Sequence, residues 1–113
     1  MLRSEIWLIN LDPTIGAEIR KVRPAVIVND NTIGILPLKV IIPITDWKER
    51  YAIAPWMVYL EPDAENGLSK PSAADTFQIR SLSQSRFVKK LGKLSESVMQ
   101  EINRAMAIVL GFG

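Results

Sequence analysis

Arg23 and Thr45 are the side chains whose type and setting suit work on a phosphate. Arg23 stands immediately before Pro24 at the mouth of the apolar run Pro24-Ala25-Val26-Ile27-Val28, and Thr45 closes a second run, Ile42-Pro43-Ile44-Thr45. An arginine whose strand drops into a core is held rigidly while its guanidinium faces outward. That planar fork matches the oxygens of a phosphate. A threonine hydroxyl beside it can donate to a non-bridging phosphate oxygen. Taken singly, each residue has a plainer reading. Arg23 is as readily one half of a surface ion pair, and Thr45 alone reads better as a strand-end residue bonded to its own turn.

What the chain lacks narrows the chemistry further. It has 113 residues, with no cysteine and no histidine. Thiol nucleophiles, thiolate metal sites, disulfides and catalytic systems built on an imidazole are closed to it. The twelve acids are scattered without ligand-like spacing, so neither a bound metal nor another cofactor is expected. Asp12, Asp30 and Asp46 each follow a strand-like run and could converge, but turn formation explains them better. The net charge of +2, from fourteen bases and twelve acids, is weak evidence for any partner. The bases are unevenly spread: Arg80, Arg86, Lys89, Lys90 and Lys93 fall in one stretch without an acid. Standing alone, that stretch reads as a solvated basic face before it reads as a phosphate site.

Nearly half the residues, 48%, are hydrophobic, which suits one globular domain spanning 1–113. Apolar runs fall short of membrane-spanning length, and no charged segment followed by an apolar run opens the chain. A soluble, cytoplasmic protein with no membrane partner is the expectation. Strand patterns occupy Glu5 to Leu11, Pro24 to Val28, Leu38 to Ile44, Trp56 to Leu60, Thr76 to Leu82 and Phe87 to Leu91. Thr14 to Val22 reads as a polar loop around Gly16, and Asp63 to Pro71 as a turn-rich loop containing Asn66-Gly67. The end of the chain differs: Val98, Ile102, Ala105, Met106, Val109 and Leu110 recur at helical spacing. Ser95 or Ser97 is available as a cap, Ser97 with Gln100 making a capping-box pattern, and Gly111 stops the helix. Short strands followed by one amphipathic helix predict an α+β fold, mainly β, in which a small and partly open barrel carries the helix.

Several segments also occur in a recognisable order. Ile6-Trp7-Leu8-Ile9-Asn10-Leu11-Asp12-Pro13-Thr14-x-Gly16-x-Glu18 opens the chain, followed by Arg23-Pro24-Ala25-Val26-Ile27-Val28 and Pro43-Ile44-Thr45. Gly67-Leu68-Ser69-Lys70-Pro71-Ser72, then Gln78-Ile79-Arg80, then Leu91-Gly92-Lys93-Leu94-Ser95 complete the series. In this order the sequence resembles the MazF/PemK family of toxin endoribonucleases over nearly its whole length. The resemblance implies an SH3-like barrel of the MazF/PemK/CcdB type, a homodimer, and single-stranded RNA bound in a groove across the dimer interface. It also implies metal-independent, sequence-specific cleavage of mRNA, and neutralisation by a cognate antitoxin. Arg23 and Thr45 match the family's catalytic Arg and Thr. Glu18 matches a position near the bound RNA, and Ser69, Ser72, Gln78 and Arg80 fall in segments resembling those that line the RNA groove.

The chemistry of the residues agrees with that resemblance. RNA carries its own nucleophile, so the protein need supply only positioning, charge stabilisation and proton transfer. An arginine is a poor general acid or base, which leaves Glu18 as a candidate base. One branch of the family carries Arg-x-Asp-Gln, where this chain reads Asp75-Thr76-Phe77-Gln78. Phe77 stands where that Asp would be, and Asp75 reads as a turn cap before it reads as a substitute. Trp7 reads as core, Trp47 and Trp56 flank a segment open to base stacking, and core packing or a dimer contact suits Trp56 better. The alternatives are a CcdB-like toxin that poisons gyrase and a non-catalytic RNA-binding module. A physical argument describes the antitoxin: a positive groove calls for a competitor with a flexible acidic tail and apolar anchors.

Overall fold

The apolar runs become strands, and what covers each strand explains why some runs are unbroken and others alternate. The computed structural model describes residues 1–11, 22–34 and 37–112. Its strands are β1 (Glu5–Asn10), β2 (Val22–Ile27), β3 (Leu38–Asp46), β4 (Met57–Leu60), β5 (Ser72–Asp75), β6 (Arg80–Ser83) and β7 (Phe87–Lys93). One helix, α1 (Glu96–Leu110), follows them, and short 3-10 turns lie at Glu49–Ile53, Thr76–Gln78 and Gln84–Arg86. The strands pair antiparallel in the order β4-β5-β3-β2-β1-β7, with β6 added to β3. The expected α+β class, mainly β with a C-terminal helix, is the one observed.

From Pro24 onward β2 is apolar without interruption because both of its faces are buried there. Val26 and Val28 pack with Ile6, Ile42, Ile44 and the helix residues Met99, Ile102 and Ala105. Ala25 and Ile27 pack on the other side with Ile9, Ile41 and Leu82. Successive side chains of a strand point to opposite faces, so only a strand covered on both needs an unbroken apolar sequence. Each fully buried Ile of this kind contributes about 1.5–3 kcal/mol. The helix that covers the first face starts at Ser95, whose Oγ accepts from the Val98 N–H at 3.3 Å. The Ser97 alternative is not the one used. At the other end Gly111 takes the left-handed conformation, φ 79°, that returns its N–H to the last turn.

Only the second part of the expected strand from Thr76 to Leu82 is a strand, and Thr76–Gln78 is a 3-10 turn. β5 ends at Asp75, whose side chain accepts from the Phe77 N–H at 3.2 Å and caps the 3-10 turn, before β6 begins at Arg80. Thr76 Oγ1 donates to the Trp56 carbonyl at 2.6 Å and pins that turn to the start of β4. β5 itself, Ser-Ala-Ala-Asp, has poor intrinsic strand character. It is a strand because β3 and β4 pair with it on either side and bury Ala73 and Ala74 completely.

The loop joining β4 to β5 folds back over β7 and so links the two ends of the strand order into a partly open barrel. Lys93 N–H donates to the Glu65 carbonyl at 2.9 Å. Asn66, buried inside the loop, accepts from the N–H groups of Asp63 and Leu68 at 3.1 and 2.9 Å and donates to the Glu61 carbonyl at 2.8 Å. The approach to β7 is close enough to require glycine on both sides. A Cβ on Gly67, whose φ is +69°, would collide with the Leu91 carbonyl, and one on Gly92 would collide with the Glu65 carbonyl. Gly67→Ala and Gly92→Ala are each expected to cost about 1–3 kcal/mol of stability. Urea unfolding monitored by tryptophan fluorescence checks this, and wild-type midpoints would refute the close approach.

Glu5, at the head of β1, is the buried carboxylate of this end of the sheet. Burial by itself raises its pKa. Hydrogen bonds from Trp7 Nε1 at 2.9 Å and the Leu2 N–H at 3.0 Å, with Lys90 Nζ at 3.2 Å, outweigh that and hold the carboxyl at about 2. The folded protein therefore releases this proton more readily than the unfolded chain, whose Glu ionises near 4.5. The contribution to stability is complete above that value and is lost as pH falls toward 2. Glu5→Gln should accordingly show a shallower loss of stability between pH 4.5 and 2 than the wild type, measured by denaturant midpoints across that window.

Candidate active site

β2 and β3 run side by side through Ala25↔Pro43, Val26↔Ile42 and Ile27↔Ile41. Carried two residues further, the same register sets Arg23 across from Thr45, on the face shared with Ala25 and Pro43. At that point the strands part. β2 stays with β1, through Arg23↔Ile9 and Val22↔Asn10, while β3 is held on its other edge by β5, through Thr45↔Ala73 and Asp46↔Ser72. The fork opens into a cavity of about 470 Å³. Arg23 lines it from β2, Thr45 and Asp46 from β3, Ser69 and Lys70 from the β4–β5 loop, and Ser72 from β5. Leu8, Ile44, Leu68 and Leu91 make its apolar wall.

Arg23 is half-buried, and its Nε lies buried with no hydrogen-bond partner among the described residues. Among the described residues no carboxylate pairs with its guanidinium, so the surface ion pair open to it in sequence is not found there. A buried donor left unsatisfied costs about 1–3 kcal/mol. The other cation of the cavity, Lys70, is held by Asp46 at 3.1 Å, with both side chains more than half exposed. Ser72 is buried, and its hydroxyl donates to the Lys70 carbonyl at 2.8 Å. It shapes the loop, whereas Ser69 is exposed beside it.

The remaining candidates lie elsewhere. Gln78 and Arg80 are exposed and do not line the cavity. Gln78 Nε2 donates to Asp75 Oδ2 at 2.9 Å, and Arg80 sits on β6 across from Ile41. Glu18 and Gly16 fall outside the described residues. The basic stretch is divided among β6, the following 3-10 turn and β7: Arg86, in the turn, donates from Nη1 to the Asn10 carbonyl at 3.3 Å, and Lys90, on β7, pairs with Glu5. Trp7 is half-buried, edge-on to Phe87 with centroids 5.9 Å apart, as a core residue. Trp47 stands edge-on to Tyr51 and Tyr59, and Trp56 to Phe77. Sequence reasoning missed Asp46 and Lys70. Asp46 reads as a turn former, and only its place directly after Thr45 hinted at more. Lys70 lies in a segment whose relation to β3 depends on β5, which has no strand signature of its own.

Arg23 and Thr45 thus line one cavity where β2 and β3 part in this barrel. The chain belongs to the family described as PemK-like, MazF-like toxin of type II toxin–antitoxin system, which matches residues 2–110. It is 37% identical to the Endoribonuclease MazF of Staphylococcus epidermidis, over 96% of this chain and 90% of that protein. It is 33% identical to the Endoribonuclease MazF of Staphylococcus saprophyticus, over 98% and 92%. Among solved structures, the MazE–MazF complex of Deinococcus radiodurans (Form-II) has the same fold, with a TM-score of 0.80 at 23% identity over 100% of this chain and 97% of that one. An endoribonuclease in complex with its cognate antitoxin, from a mycobacterial species, superposes with a TM-score of 0.79 at 21% identity, over 100% and 97%.

The unpartnered Nε makes a prediction about stability. Arg23→Met removes a buried donor that nothing satisfies and keeps the aliphatic stem, so the variant should be as stable as the wild type or more so, by up to about 1 kcal/mol. Loss of stability beyond that, in urea unfolding, would mean that Arg23 holds the fold together.

Proposed function

We propose that this toxin is an endoribonuclease that cuts single-stranded mRNA at specific sequences, without a metal ion, by attack of the RNA 2′-hydroxyl on its own phosphodiester. The products are a 2′,3′-cyclic phosphate and a free 5′-hydroxyl. The observation that carries the reading is Arg23, with its unsatisfied buried Nε, set across the fork from Thr45. Family membership and relatives named as endoribonucleases support the same activity. Charge growing on the phosphorane oxygens is neutralised by the guanidinium, and Thr45 adds a directed donor. The scissile phosphate is held between them, so the entropic cost of alignment is met on binding. Donor chemistry also favours a metal-free route: the chain has no histidine or cysteine, and among the described residues no three acids gather as metal ligands.

Glu18 is the carboxylate we assign to the 2′-hydroxyl proton. Ser69 contacts RNA within the cavity, while Gln78 and Arg80 contact it beyond the scissile phosphate. DNA, lacking the nucleophile, is spared. The active form is a homodimer in the cytoplasm, and among the described residues no helix is long and apolar enough to cross a membrane. A cognate antitoxin with a flexible acidic tail and apolar anchors covers Arg23 and competes with RNA.

Purified protein should cut single-stranded RNA in excess chelator and leave ends that polynucleotide kinase labels without prior dephosphorylation. Ends bearing 5′-phosphate, or activity that needs added Mg²⁺, would overturn the mechanism. Arg23→Ala should lose about 10²–10³ in rate, the usual effect of removing one transition-state donor. Wild-type cleavage by that variant would move the site elsewhere.

A further inference from the structure

The cavity contains a second cation that the proposed reaction does not use. Lys70 Nζ lies 3.1 Å from Asp46 Oδ2, with their side chains 62% and 60% exposed. An ion pair so open to water is weak, about 0–1 kcal/mol, and is easily exchanged for a better anion. The backbone beneath Lys70 is fixed, by contrast. Its carbonyl accepts from Ser72 Oγ at 2.8 Å, and the carbonyl of the next residue, Pro71, accepts from the Trp47 N–H at 3.0 Å. Asp46 is anchored as well, on β3 in register with Ser72 of β5. A mobile ammonium on a fixed stem, parked on a carboxylate one residue beyond Thr45, is arranged to change partners when a phosphate arrives.

We infer that Lys70 and Asp46 form an exchangeable latch, in which Lys70 leaves Asp46 to bind a phosphodiester flanking the scissile one. The inference rests on the proposed RNA chemistry and adds a second phosphate subsite to it. In the free protein Asp46 holds the lysine over the cavity and cancels its charge, which leaves Arg23 as the unbalanced cation there. On binding, a flanking phosphate takes the ammonium, and one further counterion is released from the RNA. Lys70 and Asp46 thereby set how tightly RNA is held rather than how its bond is broken.

The latch is tested with a fluorescein-labelled 2′-O-methyl RNA of a sequence that the wild-type protein cuts, titrated across salt concentrations. The slope of log affinity against log salt should fall in magnitude by about 0.7 in Lys70→Met, the loss of one contact to a single strand. Asp46→Asn should bind about fivefold more tightly, since the lysine is freed from its carboxylate. In the double variant that gain should disappear, because without Lys70 there is nothing for Asp46 to restrain. An unchanged slope in Lys70→Met overturns the inference while leaving the cleavage reading intact. An Asp46→Asn gain that persists undiminished beside Lys70→Met shows general repulsion instead of a latch, and overturns it equally. A wild-type protein that cuts no RNA, and so offers no such sequence, overturns both readings together.

Discussion

Everything at the candidate site depends on β3 parting from β2 after Pro43 while β5 holds its other edge. Through Ile41 to Pro43 it is hydrogen-bonded to β2, and from Ile44 to Asp46 it is hydrogen-bonded to β5. β5 lies on the edge of β3 opposite β2, so beyond Pro43 β3 stays in the sheet through β5 while β2 continues with β1, and the two neighbours diverge. Each strand keeps a partner on its outer edge, β1 for β2 and β5 for β3, and the two inner edges open onto the cleft. Arg23 and Thr45 are the residues at which this happens. They inherit rigidity from the buried strand behind them and openness from the fork in front, a combination that positions charge with little motion left to freeze out.

The same departure of β3 demands that something close the far side of the cleft. The β4–β5 loop does so by crossing to β7, through Asn66 and the close contacts at Gly67 and Gly92. That loop then supplies Ser69 and Lys70 to the cavity. Wall and site are one segment of chain. Its internal hydrogen bonds, centred on buried Asn66, keep the loop's shape without help from a ligand, and Ser72 ties the segment into β5. Changes in the loop are therefore transmitted to the site as changes in the placing of Lys70.

Electrostatics are divided between structure and function along the same line. Glu5 and Lys90 are an ion pair at the edge of the barrel, with the carboxylate buried and held charged by its donors. Lys70 and Asp46 are an ion pair in the cavity, exposed and exchangeable. Arg23 alone has a buried donor with no partner among the described residues. An unsatisfied buried group is a cost to the folded state, and one kept at the mouth of a cavity is the expected mark of stability exchanged for binding.

Much of the fold was legible in the residues themselves, because its signals are local. The unbroken run Pro24 to Val28 announced a strand buried on both faces, and the helical spacing from Val98 to Leu110 announced α1. Arg23 before Pro24 and Thr45 after Ile44 could be picked out by residue type and by their order among other segments. What could not be read was anything that depends on a partner. Ser72 to Asp75 has the composition of a turn and is a strand only because β3 and β4 flank it. The break of the expected Thr76–Leu82 strand follows from Asp75 and Thr76 bonding to the turn and to Trp56. For the same reason, Gln78 and Arg80, grouped with the site by sequence, stand outside the cavity, while Asp46 and Lys70 stand within it. Sequence determined which residues are buried and which could meet a phosphate, since polarity and period belong to each segment alone. Only the tertiary structure decided which of them share a cavity, since that is set by where β3 parts from β2 and by the loop that closes the far side.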